Sequence, residues 1–409
     1  MPATRPTYEE VMSECQALAR QVPGYCTFED MGKSFEGRPI PLLTLTDPAV
    51  SVEQKSVAFF TGGTHGSEEV GRAAVLALAR WLLTNDGSRH LRTQVILICP
   101  CLNPDGAVRN TYHNAQDVNI YQAFPLGKEP TTPEARAAYA VAQHWIPDCY
   151  ADVHGLAGGA IGDSQYVPML AGRNGLFLAS LAVSHEMDAA AEALGYPQRF
   201  CHIVPLRAGE QHQDSLFLRL LAEDNALTYT VETTENYYPL EDSIRSAVAR
   251  LSTLVRVGDR QDRHQPYRGY PCDLIAGSPV GCLMAYGADC RQRRVNRRKT
   301  ARAILEGGIF NVSRLPADPG HVATVRVQVN NKIADPPAGI VLQLRLDPRA
   351  RIKALLFNGQ PLSPCPSSGY VIDQGERHLA VRANITHPLQ VGENDLRVEY
   401  EAPFAPHAD

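Results

Sequence analysis

Short apolar runs that alternate with helical patterns are the feature that most limits how this chain can fold. The runs 56–60 and 95–99 are continuous and apolar, as expected of strands that are covered on both faces. Two further runs end near Asp152 and Glu232. Apolar residues recur at helical spacing in four segments, which are 8–21, 70–83, 174–194 and 241–255. Strands that alternate with helices predict an α/β fold with a mixed, mostly parallel sheet wrapped by helices.

The pattern changes after residue 258. Residues 259–310 are rich in Gly, Pro and Arg, and we interpret them as a connector or extension whose basic cluster, 291–299, lies on a solvated face. From residue 311 onward, short alternating runs are separated by turns rich in Gly, Asn and Pro. This pattern is typical of a small all-β sandwich. The predicted domains are therefore 1–258, 259–310 and 311–409.

Composition excludes several classes of partner. A content of 44% hydrophobic and 20% charged residues is ordinary for a soluble globular protein, and the net charge of −5 gives no reason to expect nucleic acid. No segment is as long as a bilayer-spanning helix, and the first twenty residues lack the apolar run of a secretory signal. The ten cysteines are scattered, several inside apolar runs, which favours buried thiols in a reducing compartment. We therefore predict a cytoplasmic protein with no membrane partner.

Residues that can bind a metal or move protons stand at three of the predicted strand ends. His65 and Glu68 follow the first strand, His154 the second and Glu232 the third. The carboxyl ends of parallel strands lie along one edge of a sheet, so these side chains should converge. Two histidines and one carboxylate form a zinc site with a position open for water. Each residue alone also fits an ordinary polar group at a strand end, but the four in this order favour one Zn²⁺ per chain.

Glu232 is the residue of this set that remains for proton transfer. Zinc lowers the pKa of a bound water towards neutrality, and a nearby carboxylate can take the proton. Asp152 precedes His154 by two residues, and we expect it to support His154 by a hydrogen bond only if the chain turns there.

Six ordered segments, within roughly residues 8 to 256, resemble those of the zinc carboxypeptidases of the A and B type. They are Gly32–Ile40, Gly63–Glu68 with its H-x-x-E, Asn103–Gly106 with its N-P-D-G, Asp117–Pro125, Asp152–His154 and Thr230–Glu232. The resemblance implies a zinc carboxypeptidase-like catalytic domain over 1–258. It implies His65, Glu68 and His154 as zinc ligands and Glu232 as general base and acid. It also implies Arg109 as the cation that polarises the scissile carbonyl.

The chain departs from this family where the substrate's terminal carboxylate should be bound. The family has D-x-N-R there, and its arginine grips the carboxylate through two hydrogen bonds. Here Asn119 is kept, but Ile120 replaces the arginine and can donate nothing. Either another cation meets the carboxylate, for which Arg207 is the candidate, or the substrate has no free carboxylate at this point. Asn119, Ile120 and Arg207 are thus the predicted substrate-binding positions.

The sequence therefore predicts a zinc-dependent hydrolase that cleaves an amide bond in a peptide or a small amino-acid-derived substrate, with altered recognition of the C terminus. One alternative is a deacylase or amidase that acts on a small N-acyl amino acid or a natural-product intermediate. Another is a non-catalytic binding protein on a peptidase fold. Oligomerisation is left open.

Overall fold

The chain forms two compact units. The described residues up to 259, apart from Leu176, form the first unit, and those from 280 onward form the second. A computed structural model describes residues 5–155, 163–169, 176–196, 198–205, 214–233, 238–259, 280–315, 322–332, 335–376 and 379–401.

An eight-stranded sheet forms the centre of the first unit. Its strands are β1 (Cys26–Lys33), β2 (Pro39–Leu45), β3 (Ser56–Gly62), β4 (Gln94–Cys99), β5 (Cys149–Gly155), β6 (Asp163–Met169), β7 (Gln198–Pro205) and β8 (Leu227–Thr233). They lie in the order β1-β2-β4-β3-β5-β8-β6-β7. The central strands β4, β3, β5 and β8 are parallel, and β1, β2 and β6 join by antiparallel pairing. All residues of β3 and β4 are buried, as the continuous apolar runs predict.

Helices connect these strands. They are α1 (Tyr8–Gln21), α2 (Glu69–Leu82), α3 (Asn85–Ser88), α4 (Pro104–Arg109), α5 (Pro133–Trp145), α6 (Leu176–Glu192), α7 (Leu216–Asp224) and α8 (Leu240–Gly258). The predicted mixed, mostly parallel sheet with helices is confirmed. None of the described helices combines the length and the apolar character needed to cross a bilayer.

Helix α2 approaches β5 unusually closely, and this positions the site. A Cβ on Gly71 would lie 2.3 Å from the carbonyl oxygen of Val153, so only glycine allows the two backbones to meet there. Glu68 immediately precedes α2, and His154 immediately follows Val153. The close approach of the backbones therefore brings these two side chains together.

The second unit contains two antiparallel sheets and one helix, α9 (Cys290–Leu305). Its strands are β9 (Val280–Ala285), β10 (Ile309–Leu315), β11 (Val322–Val329), β12 (Ile340–Leu346), β13 (Arg351–Phe357), β14 (Gln360–Pro361), β15 (Tyr370–Gln374), β16 (Leu379–Ile385) and β17 (Gly392–Glu401). One sheet has the order β10-β11-β17-β13-β14 and the other β15-β16-β12-β9. Inward side chains of both sheets share one hydrophobic core, as in the predicted β-sandwich.

Within the segment 259–310, the described residues 280–310 belong to this second unit. Strand β9 pairs with β12, and α9 contains the basic cluster 291–299. The prediction that the whole cluster lies on a solvated face is wrong, because Arg293, Arg294 and Arg297 are buried in a helical stripe. A run of arginines looks polar in sequence, yet the long apolar stem of arginine can be buried when its guanidinium group has partners.

The cysteines give a first testable prediction. The side chains of seven are described, and none of these seven is in a disulfide; six are buried, and Cys365 is partly exposed. Hydrogen bonds from Ser367 and Ser368 lower the pKa of Cys365 to about 7, which favours the reactive thiolate at neutral pH. Iodoacetamide should therefore modify Cys365 before the other six, as read by peptide mapping of the native protein. Faster labelling of Cys15 or Cys99 would contradict this, and Cys365→Ser is the control.

Candidate metal centre

Three donor side chains meet at the carboxyl ends of β3 and β5. His65 lies in the turn after β3, where Gly63 has a φ of +64°, a conformation that favours glycine. Glu68 follows at the start of α2, and His154 lies near the end of β5. One ligand atom of each lies within 4.8 Å of the others, and all three side chains are buried. The structure thus brings together His65, Glu68 and His154, which the sequence places at neighbouring strand ends.

The donor atoms face one common point. His65 Nδ1 lies 2.9 Å from Glu68 Oε1, and His154 Nδ1 lies 2.9 Å from Glu68 Oε2. The two Nδ1 atoms are 3.1 Å apart. Two imidazole nitrogens and a carboxylate turned towards one point form the nitrogen and oxygen donor set that Zn²⁺ prefers.

The electrostatics of the cluster also favour a cation. Burial by itself lowers the pKa of His154, but the carboxylates of Asp152 and Glu68 outweigh it and raise that pKa well above its ordinary value. Burial raises the pKa of Glu68, but His154 and His65 outweigh burial and lower it. The buried carboxylates therefore stabilise positive charge between these side chains. A divalent cation bound there would supply that charge.

Asp152 supports His154 from the side away from the cluster. Its Oδ2 lies 2.8 Å from His154 Nε2, and its Oδ1 accepts hydrogen bonds from the hydroxyls of Thr61 at 2.7 Å and Thr64 at 2.9 Å. The expectation that this contact needs a turn is wrong. Strand β5 continues through both residues, and side chains two apart in a strand lie on the same face. A carboxylate at this position fixes the orientation of the His154 ring and leaves its Nδ1 as the atom that can bind a metal.

Asn119 supports His65 in the same way. Its Oδ1 lies 3.0 Å from His65 Nε2 and also accepts from the backbone N–H of Tyr121 at 3.0 Å. The ring of Tyr121 packs edge-on against His154, with centroids 5.3 Å apart, and its hydroxyl lies 3.3 Å from Thr230 Oγ1. Asn119, predicted to bind substrate, is thus observed to hold a histidine of the cluster.

Glu232 lies beside the cluster with one oxygen unpaired. It pairs in register with His154 across the parallel strands β5 and β8. Its side chain is partly exposed overall, yet its Oε2 is buried and has no hydrogen-bond partner among the described residues. Burial raises the pKa of Glu232; His154 opposes the rise, while Glu68 and Asp152 add to it. An unpaired carboxylate oxygen beside a set of metal donors is suited to accept a proton.

The loop that carries N-P-D-G is tied to the turn of His65. The backbone N–H of Asn103 donates to the carbonyl oxygen of Gly63 at 3.0 Å. A Cβ on Gly66 would lie 2.0 Å from the carbonyl carbon of Gly106, so the two loops are in backbone contact. Asp105 is fully buried and accepts from Ser34 Oγ at 2.7 Å. These contacts hold the segments around residues 34, 66 and 105 against one another.

Three predicted site residues lie elsewhere or outside the described residues. The guanidinium group of Arg109 pairs with Glu36, and its side chain is 47% exposed. Ile120 is fully buried in the hydrophobic core, so the prediction that it contacts substrate is wrong. An apolar side chain at this position turns into the core, whereas an arginine would turn towards solvent. Arg207 lies outside the described residues.

Several residues around the cluster were not predicted from the sequence. The ring of Tyr112 stacks on His65, with centroids 3.7 Å apart and planes 17° apart. Thr61 and Thr64 fix Asp152, and the Tyr150 hydroxyl lies 2.8 Å from Thr61 Oγ1. A hydroxyl at the end of a buried strand is the one signal that could have selected the threonines, whereas nothing in the sequence distinguishes Tyr112 from other loop tyrosines.

Asp152→Asn should weaken zinc binding without abolishing it. A neutral amide still fills the space and still offers an oxygen, but it no longer stabilises positive charge on His154. Loss of such a supporting group typically costs about 10- to 100-fold in metal affinity. Competition with a fluorescent zinc chelator measures the change, and Asp86→Asn on the exposed helix α3 is the matched control. Equal zinc affinity in Asp152→Asn and the wild type would contradict this role.

Comparison with known proteins agrees with this arrangement. Residues 11–123 match the family model of the zinc carboxypeptidases. Carboxypeptidase SOL1 of Arabidopsis thaliana is 32% identical over 100 residues, which are 23% of this chain and 20% of that protein. The inactive metallocarboxypeptidase ECM14 of Ajellomyces capsulatus is 34% identical over 97 residues, or 22% of this chain and 16% of that protein. The matched segments thus span a fifth or less of these two relatives.

Solved structures share the fold over a larger part of the chain. Carboxypeptidase A of Helicoverpa armigera aligns with a TM-score of 0.52 at 17% identity, over 63% of this chain and 76% of that one. A metallo-carboxypeptidase of Burkholderia cenocepacia aligns with a TM-score of 0.51 at 19% identity, over 61% of this chain and 68% of that one. At such identities the likeness shows the fold alone. Residues 11–123 are thus similar in sequence to the zinc carboxypeptidase family, and the chain shares the fold of solved carboxypeptidases over 63% of its length.

Proposed function

We propose that this chain is a zinc-dependent hydrolase that cleaves an amide bond in a peptide or a small amino-acid-derived substrate. The observation that carries the proposal is the buried cluster of His65, Glu68 and His154 with the unpaired Glu232 oxygen beside it. The family match over residues 11–123 supports a peptidase-type hydrolase at a coarse level, and the donor set of His65, Glu68 and His154 supports activity in this chain.

The residues divide into two roles. His65, Glu68 and His154 would hold one Zn²⁺ per chain, with Asn119 and Asp152 fixing the two rings. When bound, zinc would acidify a water and polarise a carbonyl group. Glu232 would take the water's proton and deliver it to the leaving amine, because its buried oxygen is close to the cluster and has no competing partner among the described residues.

A panel of amides tests the proposal and locates the substrate class. The protein is stripped with a chelator, reloaded with Zn²⁺ and incubated with N-benzoylglycyl-phenylalanine and N-benzoylglycyl-arginine. Each is offered with a free and with an amidated C terminus, and amine release is measured by mass spectrometry. We expect zinc-dependent release from at least one compound. No release from any compound by protein that holds stoichiometric zinc would contradict a peptide-cleaving role.

The same panel, extended with N-acetylphenylalanine, tests the amidase alternative. At the position where the family has its carboxylate-binding arginine, this chain has Ile120, whose side chain is buried. A carboxypeptidase should still prefer the free C terminus, whereas an amidase or deacylase should hydrolyse the amidated forms or N-acetylphenylalanine equally well. The ratio of kcat/KM for free and amidated substrate decides between them.

A non-catalytic binding protein is the remaining alternative, and a relative named as an inactive metallocarboxypeptidase makes it concrete. This chain keeps three converging donors and Glu232, which binding alone does not require. Tight binding of the panel compounds without turnover by the zinc-loaded protein would favour this alternative.

A further inference from the structure

The ring of Tyr112 packs face-on against His65 of the candidate metal centre. Tyr112 lies in the loop after α4, and its carbonyl oxygen accepts a hydrogen bond from the backbone N–H of Gly66 at 3.4 Å. Its ring covers His65 at a centroid distance of 3.7 Å, yet 43% of the residue remains exposed. One face is therefore held against His65, and the rest of the side chain is open to an incoming molecule.

The side chain of Asn119 determines which hydrogen bonds the Tyr112 hydroxyl can make. The Asn119 side chain acts as a hydrogen-bond partner of this hydroxyl. Because Asn119 Oδ1 already faces His65 Nε2 and accepts from the Tyr121 N–H, the Asn119 amide N–H is the group left to donate to Tyr112. The phenol oxygen then accepts, and its own hydrogen can be donated to a third group.

The hydroxyl of Tyr112 also lies within electrostatic reach of the cluster. A phenol ordinarily titrates at about 10, so this hydroxyl is a neutral donor at neutral pH. Because the ring lies against His65, the donor is next to the residues that would hold zinc and move protons.

Arg109 is placed differently from Tyr112. Its guanidinium group is paired with Glu36, and half of its side chain faces solvent. The described contact of the Arg109 guanidinium group is thus with Glu36, whereas the Tyr112 ring lies directly against His65.

We propose that Tyr112 contacts the substrate and that its hydroxyl donates a hydrogen bond to the carbonyl oxygen of the bond that is cleaved. The family resemblance gives this role to Arg109. The inference rests on the proposed hydrolase function and names the residue that recognises the reacting carbonyl group. No bond to Tyr112 forms or breaks, and its hydroxyl keeps its proton throughout.

Tyr112→Phe tests this because it keeps the ring on His65 and removes only the hydroxyl. We expect kcat on the best amide of the panel to fall about 100-fold with KM within about threefold, since loss of one oxyanion donor costs about 10²- to 10³-fold in kcat. Zinc content should match the wild type. Tyr25→Phe, at an exposed tyrosine in the turn before β1, is the matched control and should leave kcat unchanged.

A second readout does not depend on turnover. Calorimetry with (benzamidomethyl)phosphonate, whose charged oxygens mimic a tetrahedral oxyanion, should show at least about tenfold weaker binding to zinc-loaded Tyr112→Phe than to the wild type. Arg109→Ala should weaken this binding less than Tyr112→Phe does.

The outcomes separate the two proposals. Unchanged kcat and unchanged phosphonate affinity in Tyr112→Phe would overturn the role of Tyr112, whether or not Arg109→Ala is impaired. A larger loss in Arg109→Ala than in Tyr112→Phe would return the role to Arg109. If the wild type hydrolyses nothing in the panel, the proposed function fails, and the phosphonate titration alone still decides whether Tyr112 meets an oxyanion.

Discussion

Glu232→Gln should abolish hydrolysis while the protein keeps its zinc. Glutamine has the same shape as glutamate but cannot take a proton from water at neutral pH, and Glu232 is not one of the three converging donors. General base and acid catalysis contributes about 10²- to 10⁴-fold, so we expect kcat to fall by about 10³-fold or more. Steady-state kinetics on the best panel substrate and metal analysis of the same sample measure the two effects.

The controls for this variant separate chemistry from folding. Glu241→Gln makes the same change at an exposed position on α8, where the carboxylate pairs only with surface arginine Arg245 among its described contacts. It should retain wild-type kcat. An amide is also easier to bury than a carboxylate, so Glu232→Gln should unfold at the same temperature as the wild type or higher. A variant that keeps more than a tenth of the wild-type kcat would remove Glu232 from the role of base.

The positions of the cluster residues could be predicted because they follow from backbone topology. Parallel strands β3, β5 and β8 place their carboxyl ends at one edge, so His65, His154 and Glu232 must be neighbours once these strands are identified. The continuous apolar runs locate the strands, and their alternation with helices indicates that they are parallel, which is what the argument needs. The family match at 11–123 covers neither His154 nor Glu232, so for these two the strand-end argument carries the placement.

Side-chain orientation could not be predicted in the same way. The sequence shows Ile120 where the family has a cation, but not that the side chain enters the core with Tyr121 and Phe124. It shows Arg109 close to N-P-D-G, but not that Glu36, 73 positions away, pairs with it. Such contacts depend on loops brought together by the fold, and loop residues have no periodicity from which a direction can be read.

The buried arginines of α9 illustrate a second limit. Helical periodicity is recognised by apolar residues, and here Arg293 and Arg297 occupy the buried stripe beside Thr300 and Ile304. A stripe that includes guanidinium groups looks solvated from composition alone. The sequence pattern of 259–310 therefore predicts a connector, whereas residues 290–305 form helix α9 with a buried stripe.

His154→Ala should remove both the metal and the activity. His154 supplies one of three donors, and its loss leaves the carboxylates of Glu68, Asp152 and Glu232 close together without the positive charge that offsets them. Two donors hold Zn²⁺ too weakly to survive dialysis, so metal analysis should show wild-type protein with one equivalent and the variant with almost none. Hydrolysis of the panel substrates should fall to background.

A thermal shift distinguishes lost binding from lost folding in this variant. Zinc at about 100 times its dissociation constant stabilises a folded site by about 2.7 kcal/mol, or an increase of about 5 to 10 °C in the unfolding midpoint of a domain of this size. Wild-type protein and His185→Ala, which alters an exposed histidine on α6, should both show this increase. His154→Ala should show none. An equal zinc-induced shift in all three proteins would exclude His154 from the donor set. Glu232 lies beside His154 across strands β5 and β8, so the proposed base would then have no metal next to it.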